Sequence, residues 1–161
     1  MLSNLSPLAE SVAGKLKTRR QTIAVAESSA GGLISAALLA VPGASAYFLS
    51  GAVVYTAKAR YSLMQLPRES VAGMRSASET YALLLARTAR ENVGATWGLG
   101  ETGAAGPTGN PYGDKAGHSC IALAGPSGTK AITLETGDAD RAGNMSAFAK
   151  AALELLLQAL E

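Results

Sequence analysis

Apolar positions recur along the chain in two periods. Leu8, Val12 and Leu16 return every four residues, the spacing of one helical face. Ser6-Pro7 just ahead of them reads as a helix start, with the serine as cap and the proline in the first helical position. Thr22–Ala26 is a short β-prone run that ends in a turn of small and polar residues, Glu27-Ser28-Ser29-Ala30-Gly31-Gly32. Leu33–Ala40 then reads as a helix, and Pro42-Gly43 breaks it. Tyr47–Tyr55 contains a second β-prone run, and Ala57–Met64 reads as a short helix. Ser76-Ala77-Ser78-Glu79 has capping-box spacing and predicts a helix from there to about Val93.

The second half follows the same alternation. Thr96–Glu101 is a third strand, and Thr102–Gly117 a long polar loop of the kind that usually carries function. His118–Ala124 and Thr129–Thr136 flank a Pro-Ser-Gly turn and predict a hairpin. Asn144–Leu160 is a final amphipathic helix, with Phe148, Ala152, Leu155, Leu156 and Ala159 on one side. No repeat and no linker interrupts the order, so residues 1–161 read as one α/β domain with helices on both faces of a sheet. Ligands of such folds sit where strands end and helices begin.

Composition adds a constraint on packing. Of 161 residues, 32 are Ala and 18 are Gly, while only 5% are aromatic. The core must therefore form by close approach of small residues with Leu, Val and Ile. Hydrophobic residues at 48% and charged ones at 16% exclude the disordered classes. A net charge of +2 is too small for a nucleic-acid-binding signal. The one basic cluster, Lys15, Lys17, Arg19 and Arg20, ends a predicted helix, where cations suit the dipole. Cys120 and His118 are the only residues of their kinds. They leave no disulfide framework and no multi-cysteine zinc site within one chain, and they fit a reducing cytoplasm. No signal peptide or membrane span is expected, and neither a cofactor nor a metal.

Four segments carry candidate chemistry. Ser28, Ser29, Gly31 and Gly32 stand before a helix N-terminus, a geometry that favours anions. Each serine can be a helix cap, an anion ligand or a nucleophile. The segment has neither the GxGxxG nor the Walker A pattern, which argues against a dinucleotide or P-loop site. Thr102-Gly103-Ala104 and Gly106 follow a strand, and glycines three apart let backbone wrap an anion. Tyr55, Lys58 and Arg60 follow another strand and offer cations that can pair with a phosphate or activate a serine. Arg141 follows Asp138 and Asp140, either as a local charge cluster or aimed at an anionic ligand.

The four segments AESSAGGLISAAL, VPGASAYFLSGAVVY, GAAGPTG and GD-DR, in this order over nearly the whole chain, resemble the CinA C-terminal domain family. The resemblance implies a three-layer α/β/α sandwich with a central mixed sheet, a cytoplasmic location and a homo-oligomer, dimer or trimer. It also implies an amidohydrolase acting on nicotinamide mononucleotide, giving nicotinate mononucleotide and ammonia. The partner expected is thus a small nucleotide or other anion. Ser28 matches the family's proposed nucleophile. Four positions depart from the family pattern: its threonine is Ala30, its asparagine Ala57, its lysine base Arg60, and a later arginine Met145. Arginine stays protonated above about pH 12 and cannot serve as a base. Lys58 is the remaining amine, but two residues along a helix is about 200° of rotation, so Lys58 and Arg60 cannot both face one site. Two functions follow: the amidohydrolase, or a non-catalytic nucleotide- or anion-binding module on the same fold. A DNA-related role rests on the family's competence-and-damage name alone.

Overall fold

The computed structural model describes residues 1–161. The chain forms five helices and five strands: α1 (Leu2–Arg19), β1 (Ile23–Glu27), α2 (Leu33–Leu39), β2 (Phe48–Val53), α3 (Ala57–Met64), α4 (Glu79–Val93), β3 (Trp97–Ala104), β4 (His118–Gly125), β5 (Gly128–Glu135) and α5 (Arg141–Ala159). Short 3-10 turns lie at Ala44–Ala46 and Arg68–Val71. The strands form one sheet in the order β2-β1-β3-β4-β5. β1 runs parallel to β2 and β3, whereas β3, β4 and β5 are successively antiparallel, so the central sheet is mixed. No helix is long and apolar enough to cross a membrane.

The strand period of two divides the sheet into unlike faces. On one face Ile23, Val25, Leu99, Ile121 and Leu123 form a core with α1, α2 and α5. On the other face Ala24, Ala26, Ala122 and Ala124 meet α4, itself lined with Ala82, Ala86 and Ala89. Gly98 and Gly100 complete this small-residue face. A Cβ built on Gly98 overlaps the Ala86 carbonyl oxygen, and one on Gly100 overlaps that of Ala82. The Ala- and Gly-rich composition thus lets one helix backbone lie directly on a strand backbone.

Several boundaries differ from the sequence expectation. α1 begins at Leu2, not at a Ser6 cap, and carries Pro7 inside it. Leu5 is buried, and its place in the core extends the helix past the local signal. Ser78, not Ser76, caps α4, its Oγ accepting from the Tyr81 N–H at 3.2 Å. Ala77 takes a left-handed conformation between them and turns Ser76 away from the helix. β3 runs on to Ala104 because Gly103 and Ala104 still pair with Ser119 and His118. The loop after it is therefore shorter than Thr102–Gly117. α5 begins at Arg141, with Asp140 as N-cap residue, three residues before Asn144.

Candidate functional site

β1 and β3 are neighbours, but the chain leaves β1 toward β2 on one side and comes back to β3 on the other. A crevice opens at the carboxyl ends of two such strands. The serine turn after β1 and the glycine-rich loop after β3 meet there around two adjoining clefts. The larger, about 470 Å³, is lined by Ser28, Tyr55, Arg60, Ser76, Thr102 and Tyr112 among others. The smaller, about 250 Å³, is lined by Ser29, Ala104, Gly106, Thr108, Gly109 and Arg141 among others. Tyr55, Gly103 and Asn110 border both. No aspartate or glutamate lines either cleft.

Two buried carboxylates shape the serine turn. Glu27 accepts from the N–H groups of Gly32 at 2.8 Å, Ile34 at 3.1 Å and Ser35 at 2.9 Å, and from Ser35 Oγ at 2.8 Å. It closes the N-terminus of α2 from within. The Gly31 N–H donates to the Ser28 carbonyl at 3.0 Å. The amides of Gly31 and Gly32 are therefore taken up by the fold, contrary to the expectation that they face an anion. Both glycines have positive φ, and the Met145 methyl lies 2.5 Å from where a Gly31 Cβ would stand. Met145, expected to matter as a missing cation, buttresses the turn by packing.

Glu101 is the second carboxylate, a residue that local pattern marks only as the end of a strand. It is fully buried. Oε2 accepts from the N–H groups of Ser28 at 3.0 Å and Ala30 at 2.8 Å. Oε1 accepts from the hydroxyls of Ser29 and, at 2.8 Å, Ser119. Burial raises its pKa, and these four hydrogen bonds only partly oppose the rise. The available signal is a single charged residue inside a buried strand of apolar, glycine and threonine residues.

The two serines differ in surroundings. Ser28 borders the larger cleft, and its hydroxyl makes no hydrogen bond within the protein. Ser29 is bonded to Glu101 and borders the smaller cleft. Thr102 Oγ1 accepts from the Ala77 N–H at 3.2 Å. Arg60 reaches the larger cleft with its guanidinium 6.0 Å from the Tyr81 ring centre, and its Nε is buried without a partner. Lys58 is exposed and lines neither cleft, because the segment is helical from Ala57. Lys58, expected as the remaining amine, is therefore not at the site: the helix rotates it away.

Arg141 stands at the opposite end. Its guanidinium donates to the Gly106 carbonyl and, at 3.1 Å, to the Tyr55 hydroxyl. Asn144, one helical turn on and buried, donates to the carbonyls of Ala105 at 2.8 Å and Asp138 at 2.9 Å. Local pattern marks it only as a helix start, yet it ties the glycine-rich loop at Ala105 and the segment at Asp138 to α5. Within that loop the N–H groups of Gly106, Thr108 and Gly109 donate to nothing in the protein. These amides are free, whereas those of Gly31 and Gly32 are not.

His118 lies behind the wall of the larger cleft. Its Nδ1 is 2.5 Å from Glu135 Oε1 and its Nε2 is 2.7 Å from the Ala77 carbonyl, with Asp114 at 3.6 Å. Two acceptors on two ring nitrogens require the imidazolium. Burial lowers the His118 pKa, but Glu135, the Ala77 carbonyl and Asp114 together raise it above the ordinary value. A raised folded-state pKa means the stabilisation is complete below the unfolded value of about 6.5 and is lost as pH rises through the folded one. Urea denaturation should accordingly show lower stability at high than at mildly acidic pH. In His118→Gln this part of the difference should vanish; an unchanged pH dependence would refute the assignment.

The molecule is an α/β/α sandwich of the open-sheet class, with its clefts at the carboxyl ends of parallel strands. The sequence profile of the CinA C-terminal domain matches residues 5–160, and the chain belongs to that family. A CinA-like protein from Anaeromyxobacter sp. (strain K) is 41% identical over 154 residues, which cover 95% of this chain and 37% of that protein. The chain thus spans little more than a third of such relatives. The competence/damage-inducible protein CihA from Agrobacterium tumefaciens superposes with a TM-score of 0.88 at 29% identity, over 97% of this chain and 94% of that one. A CinA superfamily protein from Enterobacter cloacae has the same fold, with a TM-score of 0.90 at 24% identity over 98% and 92% of the two chains.

Proposed function

We propose that the protein is an amidohydrolase for a pyridine carboxamide mononucleotide such as nicotinamide mononucleotide, releasing ammonia and the corresponding carboxylate. The observation that carries this reading is the pair of joined clefts. They combine an arginine at each end, no acidic lining, tyrosine rings and a serine turn held by a buried carboxylate. Arg60 and Arg141 supply positive charge for an anionic ligand, and the tyrosines supply flat surfaces for an aromatic ring. The free amides of Gly106, Thr108 and Gly109 suit a phosphate or a developing oxyanion. In the family pattern the attack on the carboxamide carbon falls to the serine at position 28; the turn of this chain also presents Ser29, whose hydroxyl is bonded to Glu101.

The test is ammonia release from nicotinamide mononucleotide by the purified protein. The Ser28→Ala/Ser29→Ala double variant serves as blank, and turnover should exceed it by a wide margin. Release no greater than the blank would overturn the reading.

One observation favours a second reading. No amine lines the clefts, since Arg60 stands where the family has lysine and Lys58 points outward. A non-catalytic nucleotide-binding module follows if no other base serves. It would show the mononucleotide binding by calorimetry without ammonia release.

A further inference from the structure

A serine amidohydrolase needs a base to take the proton of its nucleophile. Arg60 cannot accept a proton, Lys58 is outside the clefts, and His118 has both nitrogens engaged away from the serines. One proton acceptor remains in contact with a serine of the turn. Glu101 Oε1 receives the Ser29 hydroxyl, and its other oxygen is clamped by the N–H groups of Ser28 and Ala30. Ser119 adds a further bond from the adjacent strand. A nucleophile bonded to a base, which is itself oriented by further groups, is the arrangement that activates a hydroxyl. The burial that raises the Glu101 pKa also strengthens it as a base. Ser29 borders the smaller cleft, where the unpaired amides of the Gly106–Gly109 loop lie.

We propose that Ser29 and Glu101 form the nucleophile–base pair of this site. The proposal rests on the amidohydrolase reading for its substrate but not for its chemistry. Ser29 Oγ bonds to the carboxamide carbon while its proton passes to Glu101 Oε1. The loop amides receive the oxyanion. The C–N bond then breaks as that proton moves to the departing nitrogen, leaving ammonia and a Ser29 ester. Water adds to the ester and gives a proton to Glu101. That proton returns to Ser29 Oγ as the carboxylic acid leaves. The carboxamide thus enters the smaller cleft, and the anionic end of the ligand extends into the larger one toward Arg60.

Methanesulfonyl fluoride tests the pair without a substrate. Ser29 Oγ would displace fluoride from sulfur and pass its proton to Glu101. Intact mass should rise by one sulfonyl group, and peptide mapping should place it on Ser29. The labelling rate should climb with pH through a value above the ordinary glutamate range and then level off. Glu101→Gln should slow labelling at least about 100-fold and remove the pH step. Glutamine fits the same bonds: its carbonyl accepts from Ser28 and Ala30, and its amide donates to the two hydroxyls. A thermal melt close to that of the wild type should show this, and the wild-type pH profile and label position decide the matter if it does not. A label on Ser28, no label, or wild-type labelling in Glu101→Gln would overturn the pair. Labelling at Ser29 without ammonia release from nicotinamide mononucleotide would sink the substrate reading and leave the pair standing. Ammonia release that persists in Ser29→Ala would do the reverse.

Discussion

Gly100→Ala should destabilise the protein by about 3 kcal/mol, at the upper end of overpacking costs. The added methyl overlaps the Ala82 carbonyl oxygen and comes within 2.8 Å of the Ala86 nitrogen and 3.1 Å of the Ala82 carbonyl carbon. All three atoms are helix backbone, so no side chain can rotate out of the way. α4 must instead lift from β3, which loosens Leu85 and Tyr81 from Ala24 and Ala26 on the same face. In a domain of this size the loss lowers Tm by roughly 6–12 °C. Gly14→Ala in α1 is the control. Nothing lies within 4 Å of its new methyl, so it should stabilise by about 0.5–1 kcal/mol through helix propensity. Thermal melts of the two variants decide the matter. Equal, small effects would show that α4 does not rest on the strand backbone.

Glu27→Ala is expected to cost about 3–5 kcal/mol. Three backbone N–H groups and one hydroxyl lose their common acceptor, and Ile34, one of the donors, is wholly buried. A buried donor left unpaired costs about 1–3 kcal/mol. Glu27→Gln separates the parts. Its carbonyl keeps Gly32 and Ile34, while its amide nitrogen faces the Ser35 N–H, so the cost should fall to about 1–2 kcal/mol. Urea titration of both variants measures the difference. A loss below 1 kcal/mol for the alanine variant would mean that water satisfies the α2 N-terminus unaided.

Both predictions rest on residues that local pattern treats as ordinary. Gly98 and Gly100 read as weak points in a strand, and they are where a helix backbone comes down on the sheet. Glu27 reads as the first residue of a turn, and its side chain folds forward to close the helix after it. The same holds in the clefts. Ser28, Ser29, Thr102, Gly103, Gly106, Tyr55, Arg60 and Arg141 were legible as a site because small, hydroxylic and cationic residues gather after strands. Glu101, Asn144 and His118 were not, since each sits within a strand or helix and acts across a sheet or onto a distant loop.

Local order and period were enough to determine the succession of helices and strands, the two-sided α/β architecture and the serine turn as a candidate site. These follow from interactions among residues close in the chain. The surroundings of each group in that turn were decided by contacts between residues far apart in sequence. Glu101 lies more than 70 residues from the serines it holds. Rotation about α3 separates Arg60 from Lys58, and internal hydrogen bonds occupy the amides of Gly31 and Gly32 while leaving those of Gly106, Thr108 and Gly109 free. Which group can accept a proton depends on distance and burial, and both exist only once the sheet has brought β1 and β3 side by side.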